Sequence, residues 1–494
     1  IETHSRPNVP IFNGPPNGSY FSTINITILN ITLSDDNNFP QTFSCTFNGD
    51  NATNNPSNII NVTGYTSTNG SIFTYNWTGL NDSTYFWKSQ CEDGLAYSDN
   101  LTANFTIDTT NPQVSFTFPT EDNNTYFNRN YVFANASVAE NNFANITFYL
   151  YDSTSLINET NFTTQTFSIN FSNLNSNKLY YYNITARDKA NNINSTETRN
   201  ITLDSTSPQI SFAFPTENNA TFFNRNFIFV NVSVTEANLK NITFYLFNST
   251  RELINDSGFT NLTTGINFTN LNSNMEYYYN VTVIDLANNS NSSDTRNMTL
   301  DTTNPQINFT ATLSNGTFID QNYITINLTL NEINLANITY YLYNGSADSV
   351  TLYNETNFTA GTLFINFTNI DSREKSYLIN VTARDKAGNI NSTETRNITL
   401  DNVFPQINFT APTPDNNSRA IGNSHVINTS IRDISVKSCI LQVYNGTDNA
   451  TNYTMEVRGN NCNITISTID GYNYTLKAYV NDSALHENST GNWS

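Results

Sequence analysis

Apolar and polar residues alternate along most of the chain with a period of two. NITFYLY (145–151), NITFYLF (241–247) and NITYYLY (337–343) each set Ile, an aromatic residue and Leu on one face, and Asn, Thr and Tyr on the other. This is the signature of a half-buried strand. YVFANASV (131–138) and FIFVNVSV (227–234) are a second strand written twice. A 3.6-residue period is absent, so the pattern predicts an all-β protein. A longer stretch occurs three times: ITARDKANNINSTETRNITLD (184–204), VTVIDLANNSNSSDTRNMTLD (281–301) and VTARDKAGNINSTETRNITLD (381–401). The copies align without a gap. Each reads as a strand, an Asp-x-Ala-x-Asn turn in the main, and a second alternating run closed by Asp. Degraded copies end at Asp108 and begin near Asp482. The closing Asp recurs at 108, 204, 301 and 401, a period of about 97 residues. The expectation is five tandem modules with bounds 1–108, 109–204, 205–301, 302–401 and 402–494, each of β-sandwich size.

In module 1, strands are predicted near 22–34, 41–47, 70–78, 84–92 and 100–107. The linkers Thr-Thr-Asn-Pro, Ser-Thr-Ser-Pro, Thr-Thr-Asn-Pro and Asn-Val-Phe-Pro follow the four closing Asp residues. They are short and contain no Gly run, and their Pro lacks a ladder donor and suits the start of an edge strand. The modules are therefore expected end to end in a semi-rigid rod. Tyr85, Tyr180, Tyr277, Tyr377 and Tyr474 hold one equivalent position near the start of the penultimate strand. That position fits either a tyrosine corner or a cross-strand aromatic.

Composition narrows the class. Charged residues are 13% of the chain, against about 25% in ordinary soluble domains. Asn, Ser and Thr replace them, but aromatics at 13% sit in phase with the β period, which argues against disorder. The formal net charge is −20 with no basic stripe, so nucleic acid is not an expected partner. No apolar run is long enough to span a bilayer, so no membrane span is expected within these residues. The chain lacks an initiator Met and a basic-then-apolar leader, and reads as a processed or trimmed chain.

The Asp-x-Thr-x-Pro type of linker, the Trp87…Cys91-x-Asp93 run and the Asp-x-Ala-Gly-Asn turn at 385–389 resemble tandem Ig-like modules of archaeal cell-surface glycoproteins. The resemblance covers nearly the whole chain. It implies Ig-like β-sandwiches in an extracellular, S-layer-like or filament-like protein. Only the first and last modules carry Cys, which departs from a uniform array.

Asn-x-Ser/Thr sequons are the strongest chemical signal. About fifty occur, where composition alone would give about twenty. In module 1 they are Asn17, Asn25, Asn30, Asn51, Asn61, Asn69, Asn76, Asn81, Asn100 and Asn104; in module 2, Asn123, Asn135, Asn145, Asn158, Asn161, Asn170, Asn183, Asn194 and Asn200. Module 3 has Asn219, Asn231, Asn241, Asn248, Asn255, Asn261, Asn267, Asn280, Asn288, Asn291 and Asn297. Module 4 has Asn308, Asn315, Asn327, Asn337, Asn344, Asn354, Asn357, Asn366, Asn380, Asn391 and Asn397. Module 5 has Asn408, Asn416, Asn428, Asn445, Asn449, Asn452, Asn463, Asn473, Asn481, Asn488 and Asn492. In a strand, residues i and i+2 share a face. One tripeptide can therefore put its Asn and Thr toward solvent, for a covalent N-glycan, and its apolar middle residue into the core. The plain alternative is that Asn-Ile-Thr is simply how an AT-rich genome writes a half-buried strand. Glycans on strand faces would block edge-to-edge and sheet-to-sheet association.

Cys45, Cys91, Cys439 and Cys462 allow three pairings. Pairs within module 1 and within module 5 would close loops of about 45 and about 23 residues. They would fit an oxidising compartment, whereas a metal site would need clustered ligands at short spacing. Cys45 falls on the third strand, so the inter-sheet pairing of antibody domains need not hold. His4, His425 and His486 are far apart, and no nucleophile, P-loop or zinc-protease motif occurs. An enzyme is not expected.

The sequence points to an extracellular structural protein that self-assembles as a homopolymer, in a layer or filament. An adhesin or receptor stalk and a viral spike or fibre are the alternatives. No cofactor is expected apart from Ca²⁺ at the junctions, where the entering linker and two loops of an Ig-like module meet. The acids predicted to gather there are Asp108, Glu140 and Asp188; Asp204, Glu236 and Asp285; Asp301, Glu332 and Asp385; and Asp401, Asp433 and Asp482. Glu2, Asp35 and Asp93 approximate the set in module 1. The competing reading is solvated loop acids countered by Arg187 and Lys189, or Arg384 and Lys386. Aligned on Asp188, the copy at Asp482 stops short of an equivalent to Ile201-Thr-Leu-Asp, so an open sandwich edge is expected in module 5. Ile1 to Phe12 is the candidate strand donor.

Overall fold

The computed structural model describes residues 6–24, 27–35, 42–51, 60–66, 70–310, 314–345, 350–359, 361–446 and 449–494. Among them all regular structure is β-strand. No helix is long and apolar enough to cross a membrane. The period-two reading shows directly in Lys178–Asp188. Tyr180, Tyr182, Ile184, Ala186 and Asp188 are buried, and the residues between them are half-buried. Buried apolar residues gather in five separate clusters along the chain.

Module 2 shows the topology. Gln113–Phe116, Val132–Ala139 and Ser168–Phe171 form a three-stranded sheet. The facing sheet runs Thr125–Phe127, Arg199–Leu203, Lys178–Asp188, Phe143–Asp152 and Leu156–Phe162, and Ile193–Ser195 also pairs with Lys178–Asp188. The chain enters on one sheet and crosses to the other, where Thr125–Phe127 lies parallel to Arg199–Leu203. Modules 3 and 4 repeat this order, and module 1 has three- and five-stranded sheets. In module 5, Ala450–Arg458 pairs both Val436–Tyr444 and Asn461–Ser467, so seven strands form one folded-over sheet.

The repeated stretch is strand, turn and strand, with one difference from the expectation. Its last run is broken into Ile193–Ser195 and Arg199–Leu203. Thr196 takes the bonding position in between: its amide donates to Ile184 O at 2.9 Å and its hydroxyl accepts from Ile184 N at 3.1 Å. The turn needs left-handed backbone at its fourth residue, supplied by Asn191, Asn288 and Gly388 with φ of 72°, 66° and 90°. Leu485 occupies the same place at 76°. In module 1 the short strands Ile11–Gly14 and Ser19–Phe21 and the strand Ile60–Thr66 add to those expected.

The aromatic at the start of the penultimate strand is a tyrosine corner. The hydroxyls of Tyr85, Tyr180, Tyr277 and Tyr377 donate to the carbonyls of Asn81, Asn175, Asn272 and Asp371, and Tyr474 accepts from Ile469 N. The cysteines pair within modules, Cys45 with Cys91 and Cys439 with Cys462. Cys45 and Cys91 face each other on adjacent strands of one sheet, Phe43–Asn51 and Ser83–Glu92. That pairing differs from the inter-sheet staple of antibody domains.

Candidate junction cation sites and glycan-bearing strand faces

The linker, one hairpin loop and the Asp-x-Ala-x-Asn turn meet where each module begins. Asp108, Glu140 and Asp188 come together there, as do Asp204, Glu236 and Asp285, and Asp301, Glu332 and Asp385. In each group one ligand atom from every residue lies within 4.8 Å of the others. The two Asp residues of each group are buried and the Glu is half-buried. At the fourth junction the tight group is Asp401, Asp482 and His486, with Asp433 alongside instead of within it. The equivalent set proposed for module 1 includes Glu2, which lies outside the described residues, as does His4.

Amides organise the first three groups. Asn142 Nδ2 donates to Asp108 Oδ2 at 2.6 Å, and Asn192 Nδ2 donates to Asp188 Oδ2 at 2.7 Å and to Asp108 O at 2.6 Å. Asn238 and Asn289 repeat these bonds on Asp204 and Asp285, and Asn334 and Asn389 on Asp301 and Asp385. Asn389 is 3% exposed, and its Oδ1 has no hydrogen-bond partner. Burial pushes the carboxyls of Glu140 and Glu332 up, and the two neighbouring Asp charges add to the effect. At the fourth junction Ser435 Oγ replaces the first amide, 3.0 Å from Asp401 Oδ2. Asp433 is pushed up by burial and by the charges of Asp401 and Asp482.

The basic residues of the turn do not cover these acids. Lys189 Nζ lies 5.3 Å from the ring centroid of Tyr20 and Lys386 Nζ 5.2 Å from that of Phe222, both on the preceding module. Arg187 donates to Asn191 Oδ1 at 3.3 Å. The acids were legible from the three-fold repeat, but the amides were not singled out. The last residue of Asp-x-Ala-x-Asn was the available signal, since it is the amide that joins both Asp residues.

A second set of amides clamps the linkers. Nδ2 of Asn194, Asn291, Asn391 and Asn488 donates to the carbonyls of Pro112, Pro208, Pro305 and Pro405, each at 2.8–2.9 Å. All four are sequon residues. A different set, Asn17, Asn123, Asn219 and Asn315, accepts through Oδ1 from the last strand of its module, and Asn416 accepts from Ser494 N past the last strand of module 5.

Every sequon Asn with a described side chain is exposed or half-buried. Asn25 and Asn69 lie outside the described residues, as do the side chains of Asn51 and Asn61. On the central strands the middle residues point inward: Ile146, Ile184, Ile201, Ile242, Val281, Ile338, Val381 and Ile398 are all 0% exposed.

In module 5 the last strand, Glu487–Ser489, is followed by a single bridge from Trp493 to Leu476. Past it, Asn417 N donates to Ser494 O. A cavity of about 720 Å³ opens beside this point, lined by Asn417–Ala420, Ile469–Leu476 and Trp493. The proposed donor segment is already engaged in part: Ile11–Gly14 pairs with Thr27–Thr32, and Phe12 packs on Trp87 in its own module. Residues 1–5 lie outside the described residues.

No family model matches the chain, and no curated protein is detected as a relative. Similar solved structures include the tetra-tandem repeat in the extending region of a large adhesion protein. It is 14% identical over 80% of this chain and 100% of that one, with a TM-score of 0.32. The chicken CNTN1 FN1–FN3 domains are 13% identical over 60% and 100% of the two chains, with a TM-score of 0.25. The Clostridium thermocellum CbhA fibronectin(III)-like modules are 12% identical over 38% and 94%, with a TM-score of 0.25. The likeness is one of tandem β-sandwich repeats and goes no further.

Proposed function

We propose that this chain is a heavily N-glycosylated extracellular structural protein, a five-module rod that self-assembles into a cell-surface layer or filament. The observation that carries the reading is the phase of the sequons on the central strands, with Asn at the surface and the middle residue at the core. On the edge strands Leu156–Phe162, Leu253–Phe259 and Thr351–Phe358 the middle residues Glu159, Asp256 and Glu355 face solvent as well. Glycans at those positions cover the lateral sheet faces and leave the module ends for protein contacts. The two disulfides fit an oxidising compartment. The test is intact mass and site-by-site glycopeptide analysis of material from the native source. The reading requires a mass far above 55.4 kDa. Occupancy should be high at Asn123, Asn219 and Asn315, whose Nδ2 is not the atom that bonds the last strand. It should be low at Asn194, Asn291 and Asn391, whose Nδ2 clamps the linker. A bare-chain mass removes the proposal, and electron microscopy of cell-surface material tests assembly separately.

Ca²⁺ at the first three junctions belongs to the same proposal. Each offers three carboxylates and backbone or amide oxygens, the donor type Ca²⁺ prefers, and the Asn389 oxygen is buried without a partner. Binding at a hundredfold excess over Kd adds about 2.7 kcal/mol per site. Chelation should lower the melting temperature, and an unchanged melt removes Ca²⁺ from the reading.

A further inference from the structure

Three junctions share one donor set and the fourth does not. The turn residue that is Asn192, Asn289 and Asn389 in modules 2 to 4 is His486 in module 5. Its side chain is 6% exposed. Nδ1 lies 2.9 Å from Asp482 Oδ2, and Nε2 lies 3.1 Å from Asp320 Oδ2 on the preceding module. Asp401 and Asp482 are buried beside it, with ligand atoms of all three residues inside 4.8 Å. Asp433 stands at the rim. Its Oδ1 accepts from Ser435 Oγ at 3.2 Å, and its Oδ2 is buried with no hydrogen-bond partner. A buried carboxylate oxygen without a donor is costly unless a cation meets it.

Exchanging an amide for an imidazole changes which cation the donors suit. Ca²⁺ takes oxygen and is served poorly by an imidazole nitrogen. Zn²⁺ takes His nitrogen and Asp oxygen in a four-coordinate shell. A ligating His usually gives its second ring N–H to a carboxylate, which fixes the tautomer and the ring plane. Asp320 Oδ2 lies 3.1 Å from Nε2 as an ion-pair contact, off hydrogen-bonding geometry, so Nε2 is buried without a hydrogen-bond partner, and Nδ1 meets Asp482 Oδ2 at 2.9 Å.

We propose that the junction between modules 4 and 5 is a Zn²⁺-class site. Asp401, Asp482 and His486 Nδ1 are its ligands, Asp433 stands alongside the group, and Asp320 is the outer carboxylate. Such a site joins the two modules through both coordination and the Asp320 contact, and gives one junction of the rod a metal requirement the others lack. The proposal deepens the junction-cation reading above and rests on it for location alone. The rival arrangement is a metal-free imidazolium bridging Asp482 and Asp320.

The experiment uses the full chain, stripped of metal and then dialysed against Zn²⁺ in the presence of millimolar Ca²⁺, with both metals counted by mass spectrometry. One Zn²⁺ per chain is expected. His486→Asn, which restores the residue of the other junctions, should lose it while the metal-free melting temperature stays close to that of the parent. Asp320→Asn, which leaves the ligand set intact, should weaken Zn²⁺ binding about 10–100-fold. No Zn²⁺ on the parent chain overturns the proposal, as does Zn²⁺ retained undiminished by His486→Asn. The parallel Ca²⁺ count judges the other three junctions. Its failure removes Ca²⁺ from them and leaves the Zn²⁺ result standing.

Discussion

The middle modules and the outer ones close the same sandwich with different chemistry. In modules 2, 3 and 4 an Arg at the start of the last strand reaches the opposite sheet. Arg199 lies over Phe116 at 4.6 Å, Arg296 over Phe212 at 4.4 Å and Arg396 over Phe309 at 4.6 Å. Arg199 and Arg296 also donate to Glu121 O and Glu217 O, whose carboxylates pair with Arg129 and Arg225. At the equivalent place in module 5, Trp493 packs on Phe409 at 5.2 Å and donates to Pro414 O at 2.7 Å. Module 1 has Ala103 at that place, opposite Trp87, and keeps only the neighbouring aromatic pair, Phe12–Trp87 at 4.9 Å, which modules 2 and 3 hold as Phe116–Tyr182 and Phe212–Tyr279. The outer two modules add a disulfide each. In modules 2 to 5 the topology therefore fixes a contact point between the sheets and leaves its chemistry open, as long as a flat group meets an aromatic ring there, while in module 1 the indole of Trp87 meets the ring of Phe12 from the neighbouring strand.

That comparison can be broken most sharply at the disulfides. Replacing Cys45 and Cys91 by Ala should cost module 1 about 2–5 kcal/mol. The Cys439–Cys462 pair should be worth about 0.6 kcal/mol less on loop-closure grounds, because its separation is 23 residues against 46. Hydrogen exchange resolved by module, with and without reductant, reads both losses. Softening of modules 2 to 4 under reductant would show that the modules are not energetically separate. Next in size is Arg296→Ala, which removes a cation–π contact and a bond to a backbone carbonyl, about 1–2 kcal/mol together. Arg296→Trp, copying module 5, should recover part of it in the same exchange measurement. Tyr277→Phe and Tyr85→Phe remove a device that middle and outer modules share, so each should cost about 1 kcal/mol. A large difference between the two would sink the claim of equivalence. The smallest change is Leu485→Gly. It relieves a left-handed backbone that Gly388 already serves elsewhere, and should raise the melting temperature by an amount worth about 0.5–1 kcal/mol.

The sequence carried the strands because Ile146, Phe148 and Leu150 recur at spacing two, and packing then needs no further information. It carried the junction acids because Asp188, Asp285 and Asp385 sit in near-identical strings. It did not carry the split of the first strand between sheets: Gln113–Phe116 and Thr125–Phe127 are too short for periodicity to register. Nor did it separate clamping from free sequons. Asn194 and Asn123 read alike, and only the fold decides which meets a carbonyl through Nδ2. His486 was visible as one of three histidines, but its neighbour Asp320 is 166 positions away in the chain, and no local pattern links them.

The parallel pairing of Thr125–Phe127 with Arg199–Leu203, repeated in modules 1, 3 and 4, has a mechanical meaning. The chain enters each module through a short strand of the other sheet, Gln113–Phe116 in module 2, then passes through the first strand of the pair and leaves through the second. Once that entry strand is drawn off its sheet, tension along the chain drags the paired strands past each other lengthwise. Their hydrogen bonds lie across the pull and must yield together instead of one after another, so these four modules resist in shear. Single-molecule stretching would register this as four high-force events. Module 5, which lacks that strand pair among its described residues, would yield at a lower force.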